Sequence, residues 1–121
     1  LGIKRPTWET DPLGNSFGAG GLFLTLSELH KFGLFYLNKG SWNGKQILSE
    51  KWIEESTSAS DTDDYGYLFW RGEHNSFRAD GKYSQITMVL PEKNAVVSLV
   101  AECRKGEELM RALYDLVCAK I

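Results

Sequence analysis

The sequence predicts an α+β fold, an antiparallel sheet of three to four strands packed by a helix in the N-terminal half and by an amphipathic helix at the C-terminus. Three observations carry that expectation. After Thr25 the apolar residues Leu26, Leu29, Phe32, Gly33, Tyr36 and Leu37 recur at helical intervals. Between Tyr65 and Glu102 the character changes to β-rich runs separated by short turn signals. In the last segment Leu109, Met110, Leu113, Leu116 and Val117 share one helical face.

The elements follow in order. Leu1 to Gly21 holds two prolines, Pro6 and Pro12, and five glycines without a sustained period, which predicts an irregular connection over 1–24. Thr25 and Glu28 stand at capping-box spacing, and Gly40 suits a left-handed cap, so the first helix is expected at about 26–39. Asn43-Gly44 between Trp42 and Ile47 signals a tight hairpin, because both residues tolerate positive φ. Ser49 can cap a short helix through Trp52 and Ile53, which makes 25–57 the helical part. The acidic stretch from Ser56 to Asp64 reads as an exposed loop.

Strands are expected at Tyr65–Arg71, Ser76–Asp80, Tyr83–Leu90 and Ala95–Glu102, with antiparallel neighbours because the connections are short. Glu107 and Glu108 sit where a helix dipole favours anions, and the terminal helix is expected at 107–119. Val96, Val97, Leu99 and Val100 leave little polar residue on either side of their strand, so both sheet faces should be covered. The first helix or a further partner supplies the second cover. The sheet and terminal helix occupy 65–121, and the 121 residues read as a single piece.

Composition excludes several function classes. The formal charge is −2 with scattered Lys and Arg, which argues against a nucleic-acid partner. No apolar run approaches the ~20 residues of a membrane span. Cys103 and Cys118 lack metal-ligand spacing, so no metal and no cofactor is expected, and free thiols mildly favour a reducing, cytoplasmic setting.

Most chemical motifs read as decoys. Gly14-Asn15-Ser16-Phe17-Gly18 spells GxSxG, but no apolar strand precedes Ser16 and no helix follows at once. His30, beside Lys31 on the first helix, and His74, in a turn, are expected to be solvated. Asp61, Asp63 and Asp64 lack the glycine and distal glutamate of a calcium loop. Gly18-Ala19-Gly20-Gly21 lacks the strand and the Lys-Ser or Lys-Thr of a phosphate cradle. Tyr65, Tyr67, Phe69 and Trp70 are expected to pack on a strand. Gly81, between two expected strands, can mark the close approach of another backbone or a ligand.

The order of motifs is more specific than any one of them. Gly20-Gly21-Leu22-Phe23-Leu24-Thr25, Glu28-Leu29-His30-Lys31-Phe32-Gly33, Leu37-Asn38-Lys39-Gly40, Trp42-Asn43-Gly44-Lys45, Ile47-Leu48-Ser49 and Trp52 form the first part of an ordered set. Tyr65-Gly66-Tyr67, Ala79-Asp80-Gly81, Gln85 and Leu90-Pro91-Glu92 complete it. The set resembles the β-lactamase-related serine hydrolases, which include β-lactamases, penicillin-binding proteins and esterases.

The resemblance implies the C-terminal part of a larger serine hydrolase, whose nucleophile is the serine of an SxxK motif upstream. No SxxK occurs in this chain, and Tyr36-Leu37-Asn38 matches the family's YxN only in letters. The expected catalytic contribution of these residues is therefore none, and the chain alone is expected to be inactive. The family's third motif, Lys-Thr-Gly or His-Thr-Gly, aligns with Ala79-Asp80-Gly81, of which only Gly81 is kept. By that match the Lys82 N–H donates to an oxyanion, and Tyr83, Ser84 and Gln85 lie near an ester, amide or lactam substrate. The alternative is a non-catalytic ligand-binding or sensor module of the same architecture. Self-association through an exposed apolar face is also expected.

Overall fold

A computed structural model describes residues 1–60 and 64–121. Asp61 and Asp63 of the acidic loop lie outside the described residues. In chain order the elements are β1 (Thr7–Trp8), β2 (Leu22–Phe23), α1 (Leu26–Leu37), β3 (Ser41–Trp42), β4 (Lys45–Gln46) and α2 (Glu50–Thr57). The main sheet follows as β5 (Trp70–Arg71), β6 (Phe77–Gly81), β7 (Gln85–Leu90) and β8 (Ala95–Val100), before α3 (Gly106–Leu116). Short 3-10 turns occupy Pro91–Lys93 and Cys118–Lys120.

Helix α1 starts where its capping residues demand. The Thr25 N–H donates to Glu28 Oε2 at 2.9 Å, and the Glu28 N–H donates to Thr25 Oγ1 at 3.4 Å. Each side chain thereby satisfies a backbone donor that the first helical turn leaves orphaned. The next connection is the expected hairpin, with Asn43 and Gly44 at φ 49° and 74°. Ser49 caps α2 by accepting from the Trp52 N–H at 3.1 Å.

The four-stranded sheet has the order β5-β6-β7-β8 and is antiparallel throughout. Its two faces are covered by different helices. On the α1 side Phe35, Tyr36, Ile53, Phe69, Phe77 and Val89 form one core cluster. On the α3 side Ile86, Met88, Leu90 and Cys118 form another, against Leu109, Met110, Leu113 and Tyr114. Alternation along β7 feeds both, Val89 pointing one way and Ile86, Met88 and Leu90 the other. Helix α1 therefore supplies the second cover that the apolar pattern of β8 requires. It can approach because residue 33 is glycine: a Cβ there would lie 2.6 Å from both Thr87 Oγ1 and Val96 Cγ1.

The backbone alternation follows from one bond in the β5–β6 turn. The Gly72 N–H donates to Ser76 O at 3.0 Å, so the backbone groups of Ser76 point toward β5. With a period of two, those of Arg78 and Asp80 point the same way, and those of Phe77, Ala79 and Gly81 point toward β7. Carried through the register, Ile86, Met88 and Leu90 face β8, and Val96, Ser98 and Val100 face outward from the sheet. The Thr87↔Ser98 pair is then of the closer, non-hydrogen-bonded kind, in accord with the 2.9 Å between their hydroxyl oxygens.

Five segments depart from the sequence expectation. The opening segment is mostly irregular, but β1 and β2 add a small ladder, Thr7↔Phe23 and Trp8↔Leu22. Trp8 Nε1–H closes the intervening loop by donating to Phe17 O at 2.9 Å and to Gly20 O at 3.1 Å. The expected strand Tyr65–Arg71 shrinks to Trp70–Arg71, with Tyr65 bridged to Trp70. The Tyr67 N–H donates instead to Ser56 O at 2.9 Å, and Leu68 takes φ 66°, so this stretch is tied to the end of α2. Gly66 permits that contact, since a Cβ would meet Ser58 O at 2.5 Å and Ser56 O at 2.6 Å.

Strand β7 starts at Gln85 because Tyr83 and Ser84 take positive φ, and β8 stops at Val100 instead of Glu102. Helix α3 ends at Leu116, and beyond Val117 the chain tightens into a 3-10 turn over Cys118–Lys120.

Candidate functional site

The β6–β7 turn is the place where strand geometry, backbone strain and an open cavity coincide. Strand β5 pairs only with Phe77 and Arg78, so among the described residues the β6 edge beyond them is open. By the alternation above, Asp80 presents its backbone groups to that edge, and Lys82 is next in phase at the first turn residue. The turn closes by donation from the Ser84 N–H to Gly81 O at 3.2 Å.

Tyr83 and Ser84 hold φ values of 63° and 70°. Such values are uncommon for residues with a side chain and cost about 1–3 kcal/mol each unless the surroundings impose them. The loop between β8 and α3 does the imposing. Its Cys103 N–H donates to Tyr83 O at 3.1 Å, and Ser84 Oγ–H donates to Cys103 O at 3.2 Å. Gln85 Nε2–H donates to Ala101 O as well.

A cavity of about 280 Å³ lies between these two segments, with Asp80, Gly81, Tyr83 and Ser84 on one side and Cys103, Arg104 and Gly106 on the other. The Tyr83 ring stands at its mouth, with Lys82 Nζ 5.0 Å and the Arg104 guanidinium carbon 5.7 Å from the ring centroid. Those distances fall within cation–π range. Asp80 is neutralised by Arg78 at 3.0 Å.

The residues singled out from the sequence thus occupy one turn. Gly81 ends β6 opposite Gln85, and an added Cβ would meet Gln85 Cβ at 3.2 Å, so the close neighbour is its own cross-strand partner. Lys82 is exposed. Ser84 is buried and Gln85 half-buried, and the polar atoms of both are engaged by the β8–α3 loop. Arg104 and Cys103 were not singled out from the sequence for this cavity, because nothing local in Glu102-Cys103-Arg104-Lys105 signals a return to the β6–β7 turn.

The decoys resolve individually. Ser16 is exposed in a loop where Asp11 accepts from Leu13 N–H and Asn15 N–H, both at 2.9 Å, and no helix follows it. Those bonds hold the Asp11 carboxyl below the usual range, the Asn15 side-chain bond contributing most. Tyr36, the letter match to YxN, lies in the core, and burial pushes its phenol up. His74 is exposed in the β5–β6 turn, as expected.

His30 departs from expectation. It is half-buried, and its Nδ1 lies 3.0 Å from Ser98 Oγ, which in turn meets Thr87 Oγ1 at 2.9 Å. The aromatic group also separates: Phe69 enters the core, Tyr65 packs on Trp70, and Tyr67 O–H donates to Glu55 Oε1 at 3.2 Å. Among the described residues no three His, Cys, Asp or Glu side chains assemble a metal site, and no helix is long and apolar enough to cross a membrane.

No family model matches this chain, and no curated protein matches it. Solved structures do match, 24 chains in all. One is a Bacillus anthracis protein provisionally described as a 6-aminohexanoate-dimer hydrolase, with a TM-score of 0.77 and 21% sequence identity. The similarity covers 93% of this chain and 33% of that one. The fold is α+β, three helices with antiparallel sheets, and is consistent with the C-terminal part of a β-lactamase-like fold. This chain spans about a third of the neighbour's length, 33%, and the likeness at 21% identity is one of fold.

Proposed function

We propose that this chain is the C-terminal portion of a serine acyl hydrolase acting on an ester, amide or lactam, in which it supplies the oxyanion strand and one wall of the cleft. The observation that carries the reading is the open β6 edge beside the cavity, with the Asp80 and Lys82 backbone groups in phase to face it. In acyl transfer the carbonyl oxygen becomes an anion, and a fixed backbone N–H aimed at it stabilises charge that exists only at the transition state. The Lys82 N–H is the donor from this chain, and the strained turn fixes its direction. The nucleophile comes from an SxxK serine in an upstream part of the polypeptide. Lys82 and Arg104 add positive potential at the same mouth, and the Arg78 partner of Asp80 removes the repulsion a free carboxylate would exert.

The test has two arms. A fluorophosphonate probe, read by intact mass, should leave the 121-residue chain unmodified; an adduct lost in Ser16→Ala would overturn the reading. In the longer polypeptide with its SxxK serine, Lys82→Pro deletes the N–H at a turn position that accepts proline. It should lower kcat by about 10²–10³-fold, as removal of an oxyanion donor does. Lys82→Ala keeps the N–H and should retain most activity. Equal effects of the two changes would remove the oxyanion role. A longer polypeptide without acyl-transfer activity would leave the ligand-binding or sensor module as the better account.

A further inference from the structure

Glycine is the residue that takes positive φ without steric penalty, yet Tyr83 and Ser84 hold φ 63° and 70° with side chains in place. At Ser84 the side chain has a definite task. The residue is buried, 5% exposed, and its Oγ–H donates to Cys103 O at 3.2 Å. The N–H of the same Cys103 donates to Tyr83 O at 3.1 Å. One residue of the β8–α3 loop therefore holds the turn at two successive positions, through the backbone of Tyr83 and through the hydroxyl of Ser84. The start of α3 closes over that hydroxyl, since a Cβ on Gly106 would stand 4.0 Å from Ser84 Oγ.

The two attachments do different things. A single bond to Tyr83 O fixes where the turn sits and leaves it free to pivot about that bond. The second attachment, one residue on, removes the pivot and so defines an orientation. Gln85 adds a bond to Ala101, but from β7, outside the turn. The Ser84 N–H donates to Gly81 O at 3.2 Å, so an orientation set at Ser84 is passed across the turn to the peptide that carries Lys82.

We infer that Ser84 is a positioning residue for the Lys82 N–H, its hydroxyl setting the direction of that donor through the Cys103 carbonyl. The inference rests on the oxyanion role proposed for Lys82 and adds a dependence on a side chain two residues away. Ser84 acts without contacting substrate, because its proton is committed to Cys103 O. An oxyanion donor works through fixed aim, and a displacement of about 1 Å can lower a rate by about 10²-fold. Glycine, the easier residue for this backbone, is therefore expected to be the worse one for the reaction.

The test uses the longer polypeptide with its SxxK serine. Ser84→Gly keeps the backbone angle accessible and removes the hydroxyl, whereas Ser84→Ala removes the hydroxyl and keeps the Cβ. Each should lower kcat by about 10- to 10²-fold with KM unchanged, counted per fluorophosphonate-reactive site so that unfolded chains do not enter. Lys82→Pro supplies the deciding background. With that N–H gone, adding Ser84→Gly should leave kcat within about twofold, because the two changes remove one interaction. Should Ser84→Gly not fold, Ser84→Ala carries the same comparison. A loss of equal factor in both backgrounds overturns the inference, since the hydroxyl would then act elsewhere. Unchanged kcat in both serine variants overturns it too, as does a loss that falls on KM. Failure of the oxyanion reading would show separately, as equal activities of Lys82→Pro and Lys82→Ala, and would take the positioning role with it.

Discussion

Replacing Gly33 by alanine sets two known magnitudes against each other. Alanine in a helix interior is favoured over glycine by about 1 kcal/mol, so helix propensity alone predicts that Gly33→Ala stabilises α1. The structure predicts the opposite. The new Cβ would lie 2.6 Å from Thr87 Oγ1 and 2.6 Å from Val96 Cγ1, whereas comfortable carbon contacts begin near ~3.5 Å.

Neither neighbour can easily yield. Both are β-branched and stiff at χ1, and Thr87 is held by Ser98, itself bonded to His30. Relief therefore requires α1 to lift from β7 and β8. Overpacking of this kind costs about 1–3 kcal/mol, occasionally more, and the propensity gain offsets only the lower part of that range. A net loss of about 1–2 kcal/mol is expected. In urea, with a slope of about 1–3 kcal/mol per molar, the midpoint should fall by roughly 0.3–2 M at unchanged slope. A midpoint equal to or above that of the parent chain would refute the claim that α1 sits on the sheet through Gly33.

Two further outcomes follow from the titrating groups. Hydrogen bonds from the Thr25 backbone and side chain hold the Glu28 carboxyl below the usual glutamate range. A depressed carboxyl contributes stability that is present above its unfolded value and lost as pH falls through the folded one. The protection of the first-turn amides of α1, relative to their unstructured exchange rates at the same pH, should therefore fall on acidification below about pH 4.3, and Thr25→Ala should cost about 0.5–2 kcal/mol at neutral pH. A first turn indifferent to both changes would exclude the capping box as its anchor. The two thiols should also differ: Cys118 is fully buried and burial raises its pKa, whereas Cys103 is half-buried at the cavity. Iodoacetamide should label Cys103 in the native chain and Cys118 only after unfolding; equal native labelling would contradict the packing of the C-terminal turn.

How much of this was legible in the sequence depended on the range of the causes. The capping box of α1, the Asn43-Gly44 hairpin, the Ser49 cap and the start of α3 are local, and each sits within two residues of the position that residue types alone implied. The demand for cover on both faces of β8 was also legible, because side-chain polarity along one strand encodes it.

Segments governed by distant partners were not. Tyr65 to Trp70 has strand composition, yet the carbonyl of Ser56 captures the Tyr67 N–H. Tyr83 and Ser84 carry no sign of positive φ, since the residues that impose it are Ala101 and Cys103. The same is true of His30, whose partner Ser98 lies 68 positions away. At the candidate site, motif order singled out Gly81 to Gln85 as a group but expected a strand from Tyr83 onward, and both the longer turn and the nearness of Arg104 entered only through the fold.

The fastening of the β6–β7 turn to the β8–α3 loop limits how portable that turn is. Excised as a hairpin peptide, residues 76–90 would lose the Cys103 N–H, the Cys103 carbonyl and the Ala101 carbonyl together. Tyr83 and Ser84 would then relax to ordinary dihedrals. Grafting the turn into another scaffold would carry the letters without the shape, unless the loop travelled with it. The inheritable unit here is a pair of segments some twenty residues apart, joined by three hydrogen bonds.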